Sequence, residues 1–185
     1  MARLPKMVPH LRPGMPGASG GVSYLKGMEV VMARLNKELE GIKVRSESGM
    51  IKGLAHIRVQ TETVNPLTPM DLGNLIASWF VATAKSNPRV KGRKVFKGPN
   101  AGKIKADFEN AKAQGIGEIA SMTTKDKKFV MGGYGANYAG FVHEFIPGIA
   151  HFKREGSKEK WLQDHLYKNT KKIVEIIRED AKVKG

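Results

Sequence analysis

Between Lys85 and Lys105 the chain places eight basic residues (Lys85, Arg89, Lys91, Arg93, Lys94, Lys97, Lys103 and Lys105) and no acidic one. Like charges at this density repel each other, and Pro88, Gly92, Gly98, Pro99 and Gly102 interrupt helix and ladder hydrogen bonding alike. Such a stretch does not nucleate a core by itself. The fold must be assembled from the residues on its two sides, with the basic stretch as an insertion between them.

The N-terminus has the same character. Residues Met1–Lys26 carry Arg3, Lys6, Arg12 and Lys26 without an acid, so the two stretches hold twelve of the fifteen net positive charges. Pro5, Pro9, Pro13 and Pro16, then Gly17, Gly20 and Gly21, make Met1–Gly21 an arm. The same prolines break any apolar core a secretory signal would need. Two readings stand for the basic stretches. They are solvated segments that keep the protein apart from itself, or they lie against an anion, either nucleic acid or an acidic protein surface. Met1–Gly21 and Lys85–Lys105 are expected to be disordered in the free subunit and ordered only by neighbours in an assembly.

Between and after these stretches the pattern is globular. Leu25, Met28, Met32, Leu35, Leu39 and Ile42 step by three, four, three, four and three, which is one apolar stripe of an amphipathic helix. Gly41 and the polar run Arg45–Ser48 are expected to end it. A second helical pattern runs through Met50, Leu54, Ile57, Thr61 and Val64 until Pro66 forces Asn65 out of the helical region. Two stripes need a common surface, and a sheet supplies one. Its candidates are Leu75–Ala84, Lys128–Gly133 and a third region around Tyr138–Phe145, where aromatic and β-branched residues concentrate. Ile104–Met122, inside the insertion (about 85–126), has weaker helical periodicity interrupted by Gly115 and Gly117. Trp161, Leu162, Leu166, Ile173, Ile176 and Ile177 mark a long C-terminal helix from about Ser157, with Glu175 set against Arg178. The expected fold is α+β: a small, mainly antiparallel sheet covered by two N-terminal helices and one C-terminal helix. It occupies residues 22–185 as a single domain, interrupted by the basic insertion.

The reaction chemistries are mostly excluded by residue type. With no cysteine there is no disulfide, thiol nucleophile or cysteine metal site. His143-Glu144 is followed by Phe145-Ile146-Pro147, so the second histidine of a zincin helix is missing. Joining His143, His151 and His165 into one site requires a convergence that their spacing does not announce. Asp71 and Glu144 have no fixed separation as an acid–base pair, and Asp71 suits a turn. Ser19, Ser78, Ser121 and Ser157 lack a nucleophile elbow. Gly132-Gly133-Tyr134-Gly135 lacks the lysine and hydroxyl of a phosphate loop. Trp79, Phe80 and Trp161 sit where core packing, rather than base stacking, accounts for them. No enzyme activity, cofactor or metal is expected, and no apolar run approaches the ~18 residues of a membrane span.

Three motifs in order give the most specific signal. They are Pro69-Met70-Asp71-Leu72-Gly73-Asn74-Leu75-Ile76-Ala77-Ser78, then Tyr138-Ala139-Gly140-Phe141-Val142-His143-Glu144, then Lys160-Trp161-Leu162 at the head of the last helix. In sequence and spacing the chain resembles the tail-completion, or head–tail joining, family of tailed bacteriophages. That family tends to carry P-V-D-T-G-N-L-R-x-S, Y-A-x-x-V-H-E or V-E, and K-F-L. The resemblance spans roughly Gly27–Ala84 and Lys127–Ala181. Leu72 stands where the family usually has Thr, Ile76 where it has Arg, and Trp161 where it has Phe. The first two remove polar contacts at the turn; the third preserves packing. On the residues themselves, Gly73 and Asn74 read as turn chemistry launching the first strand. Tyr138, Phe141 and Val142 read as apolar contacts, with Ala139 a further motif position and His143 and Glu144 at a polar end.

The resemblance implies a structural virion protein without catalytic residues, assembled in the bacterial host cytoplasm. It would sit in the phage neck as a homo-oligomeric ring, six copies being the family's suggestion. Its neighbours would be the head connector and the tail terminator or tail tube, with packaged DNA as a possible non-specific contact. The eight insertion cations are the candidate contacts, to DNA or to a neighbouring protein. The rival from composition alone is a non-specific nucleic-acid-binding protein of architectural or ribosomal type.

Overall fold

Residues Gly20–Thr63 form one continuous helix, α1, in place of the two helices expected. The structure is a computed structural model and describes residues 20–86, 88, 95–144 and 152–183. The N-terminal arm up to residue 19 and insertion residues 89–94 lie outside them, and with them the expectation that these become ordered only against a neighbour. The chain divides into two compact units, Met1–Leu39 and Glu40–Gly185. In the first, the described residues are the opening turns of α1; the second contains everything else.

Gly41 does not stop α1, and neither does Arg45–Ser48. A glycine inside a helix costs only about 1 kcal/mol relative to Ala, too little to end a helix held by packing further along. That packing comes from the C-terminal helix, α5 (Trp161–Ala181), which begins four residues later than expected. At Gly49 the two helices approach closely. A Cβ built there would lie 2.8 Å from the Ile177 Cα and 3.2 Å from its carbonyl oxygen, whereas at Gly41 it meets only the far end of the Arg45 side chain. The two glycines therefore predict opposite results. Gly41→Ala should stabilise the protein by about 0.5–1 kcal/mol, while Gly49→Ala should destabilise it by about 1–2 kcal/mol because backbone must move. Thermal melts that shift in the same direction would contradict this helix pairing.

The sheet has two strands, β1 (Trp79–Thr83) and β2 (Val130–Tyr134), paired antiparallel with Trp79 opposite Tyr134 and Thr83 opposite Val130. Side chains alternate across a strand, and β1 is buried on both faces. Trp79 and Val81 pack with Ile57, Leu54 and Ile173, on the α1 and α5 side. Phe80 and Ala82 pack with Phe108, Ala111 and Ile116 of α3 (Ala101–Met122). The insertion is thus corrected in its second half. Ile104–Met122 belongs to a 22-residue helix that covers one face of the sheet, and Lys103 and Lys105 are helical residues of its first turns.

Two further corrections concern the strands. The first half of Leu75–Ala84 is a short helix, α2 (Asn74–Ala77), and the region around Tyr138 forms α4 (Ala139–His143). The α+β class and the small antiparallel sheet stand, but the expected third strand is a helical turn. Glu175 also bonds Lys172 at 3.1 Å, rather than Arg178. Gly73, just before α2, has φ 83°, left-handed backbone that a β-branched residue resists. A Cβ there meets nothing within 4 Å, so only the backbone conformation opposes substitution. Gly73→Val should therefore destabilise by about 1–2 kcal/mol, read as a lowered urea midpoint; an unchanged midpoint would contradict the turn.

Among the described residues no helix is long and apolar enough to cross a membrane.

Candidate functional site

The three motif segments, separated by some sixty and then sixteen residues in the chain, meet in one cluster. Leu75 of the first, Ala139 of the second and Trp161 of the third are buried together with Ile104 of α3 and Ala136. Trp161 is 1% exposed and meets Tyr134 edge-on, with ring centroids 5.9 Å apart. Aromatic edges of this kind add a specific contribution to plain area burial.

Above this cluster opens a pocket of about 650 Å³. The first motif lines it with Pro69, Met70, Asp71, Leu72, Asn74 and Leu75, and the second with Tyr138 and Val142. Lys97, Pro99, Asn100 and Ile104 come from the end of the insertion, and Phe152 and Lys153 from the segment before α5. The walls are mainly apolar, with polar groups at the margin. Asp71 and Lys153 form a 2.6 Å ion pair there, both side chains well exposed. A pair in that setting contributes little to stability. Burial, with the Asp71 charge adding to it, raises the Tyr138 hydroxyl above its ordinary pKa, so it remains a protonated phenol.

Asn74 holds the pocket together. Its side-chain amide donates to the Lys97 carbonyl at 2.9 Å, and its side-chain oxygen accepts from the Lys97 N–H at 2.8 Å. The buried side chain thereby does what a paired strand does and fixes the end of the insertion beside the first motif. Sequence reasoning placed Asn74 in the turn but missed this tie, along with Ile104, Phe152 and Lys153 in the walls. The one available signal was the helical spacing of Ile104 and Phe108, obscured by the glycines later in the same helix.

Next to the pocket the second motif grips the third. The Lys160 N–H donates to the His143 carbonyl at 2.9 Å, and the Lys160 ammonium meets the Glu144 carboxylate at 2.9 Å. His143 Nδ1 reaches the other Glu144 oxygen at 2.7 Å, and the imidazole stands edge-on to Trp161 with centroids 4.8 Å apart. These contacts hold Lys160 at φ 53°, an unusual conformation for a residue with a side chain. Trp161 can then enter the core as the first residue of α5. The hydrogen bonds from Lys160 and then His143 keep the Glu144 carboxyl below its ordinary range. A carboxylate so lowered is a poor proton acceptor near neutrality.

The other motif positions have local roles. Ser78 donates to the Leu75 carbonyl at 2.7 Å, Leu162 packs against the same core, and Pro69 is buried beside the buried Thr68. Of the eight insertion cations, Lys85, Lys97, Lys103 and Lys105 are exposed. Arg89, Lys91, Arg93 and Lys94 lie outside the described residues. His165 donates from Nε2 to the Pro66 carbonyl at 2.9 Å, a bond that ties α5 to the end of α1. His151 lies outside the described residues, and among those described no group of three His, Asp or Glu side chains gathers to hold a metal. Trp79 is 4% exposed and lies in the core, as its position in a strand predicted.

The arrangement can bind: an apolar concavity carries the Asp71–Lys153 ion pair and the Lys97 side chain at its surface. Compared with protein-family models, curated proteins and solved structures, the chain matches none.

Proposed function

We propose that this chain is a structural virion protein of a tailed phage, forming a neck or tail-completion ring between the head connector and the tail. The observation that carries the reading is the convergence of the three motif segments. Leu75, Ala139 and Trp161 share one buried cluster, and the first two segments wall one apolar pocket. Motifs that meet in this way define one working surface. Its chemistry is that of docking, since its walls are mainly apolar and Asp71 and Lys153 pair at their edge.

A ring needs head-to-tail contacts between two different patches of each subunit. On this reading the motif pocket belongs to one such patch. The exposed insertion cations Lys85, Lys97, Lys103 and Lys105 reach the neighbouring ring protein, and so short of acids they favour an acidic protein face. Packaged DNA is the other candidate for the same cations. A duplex titration separates the two. If DNA is the contact, affinity falls with salt at a log–log slope of about −0.9 per phosphate neutralised, and replacing Arg93, Lys94 and Lys97 by Ser flattens the slope by up to about 3.

The reading itself is tested by light scattering on the full chain, freed of nucleic acid. It predicts a defined oligomer, six copies of the 20.3 kDa chain being the expected mass. A monomer at every concentration would overturn it, and steep salt-dependent DNA binding by that monomer would favour an architectural nucleic-acid-binding protein instead.

A further inference from the structure

Among the described residues, the apolar stripe of α1 is exposed. Met32, Leu35 and Leu39 are 49%, 50% and 46% exposed, and Val30 and Val31 beside them are more so. Five large apolar side chains within ten residues of one helix are more than scattered surface residues account for. From Leu25 to Ile42 the spacing alternates three and four, the alternation of a seam between two helices that wind around each other.

The same seam, traced along α1, changes composition where a partner helix is present. Its next positions include Gly49, Gly53 and His56, and each of these meets α5. Gly49 lies against Ile177, Gly53 has a Cβ position 3.0 Å from the Ile173 side chain, and His56 reaches Asn169 at 3.1 Å. Small residues suit the close approach there. α5 ends at Ala181, and toward the N-terminus of α1 the seam residues become Ile42, Leu39, Leu35 and Met32, sized for packing between two separate helices.

Charge identifies the occupant. The chain carries +15 overall, so two copies repel across most of their surfaces. Met28–Glu47 is the exception, with Glu29, Glu38, Glu40 and Glu47 balancing Arg34, Lys37, Lys43 and Arg45. In a parallel pairing Glu38 flanks the seam opposite Lys43 of the other copy, once on each side. Glu40 and Asp126 of its own chain already position that ammonium, at 3.0 and 3.3 Å. We infer that residues 30–42 of α1 pack in parallel against the same residues of a second copy of this chain. This stands on the stripe alone and does not depend on the neck reading.

The absence of native cysteine makes the test unambiguous. In the full chain, Leu35→Cys places a thiol in the seam, and Lys37→Cys places one on the outer face of the same turn. Under mild oxidation the first should give a two-chain species on a non-reducing gel and the second should remain a single chain. Leu35→Asp with Leu39→Asp should weaken association about a hundredfold or more, with circular dichroism unchanged because both side chains are already half exposed. Equal linkage at the two positions, or none at residue 35, overturns the inference. A two-chain species that persists unchanged with both aspartates also overturns it, and a ring that still assembles leaves the neck reading intact. Linkage at residue 35 without any ring supports the seam and counts against the neck.

Discussion

Trp161→Ala should remove about 3–5 kcal/mol of stability, a large share of the roughly 5–15 kcal/mol that a domain of this kind has in total. Trp161 is 1% exposed, opens α5, and touches the second motif through His143 and the sheet through Tyr134. Truncation leaves a void that the surrounding elements cannot close without shifting α4 toward α5. The loss should appear in urea unfolding as a lowered midpoint at an unchanged slope. Trp161→Phe keeps an aromatic edge at the same place and should cost less than about 1.5 kcal/mol. Equal losses for the two variants would mean that the indole does not hold the three segments together.

Asn74→Ala should cost about 2–4 kcal/mol, because both the N–H and the carbonyl of Lys97 lose their partner in one change. The site should respond more than the fold as a whole. Without this tie, residues 95–100 lose their attachment to the first motif, and their amides should exchange with deuterium far faster than those of β1. Asn74→Asp retains the acceptor for the Lys97 N–H but sets a carboxylate against the Lys97 carbonyl. It should fall between wild type and alanine. Protection of residues 95–100 that is unchanged in Asn74→Ala would show that Pro99 and Ile104 hold the segment by packing alone.

The sequence was most legible where one local rule decided the outcome. Phe80, Val81 and Val130 announced β1 and β2 because aromatic and β-branched side chains fit a pleated surface, while Phe129 falls just before β2. Gly73 announced its left-handed turn because few other residues adopt it at low cost. Tertiary contacts overruled local rules elsewhere. Gly41 and the polar run Arg45–Ser48 argued for ending α1, yet the helix continues and Gly49 lies against α5. In α3, Gly115 argued against a helix, but it faces the Phe80 ring, to which a Cβ would come within 3.2 Å. A residue that signals a break in an isolated helix is here the residue that lets the helix pack.

Tyr138–Phe145 shows the opposite difficulty. Its apolar residues suit a strand, but Tyr138 and Val142 are four apart and line the same pocket, which requires a turn of helix. At the candidate site the order of the motifs was visible in the chain. Their convergence was not, because it depends on Asn74 reaching Lys97 and on Lys160 being held by His143 and Glu144. Bonds between residues this far apart, or at an unusual φ, leave no periodic trace.

The central claim, a ring-forming scaffold for the phage neck, is tested most directly by electron micrographs of the purified full chain averaged without imposed symmetry. The account predicts closed rings with rotational symmetry, most simply sixfold, in preparations free of nucleic acid. Isolated single subunits, or particles that appear only when duplex DNA is added, would contradict it.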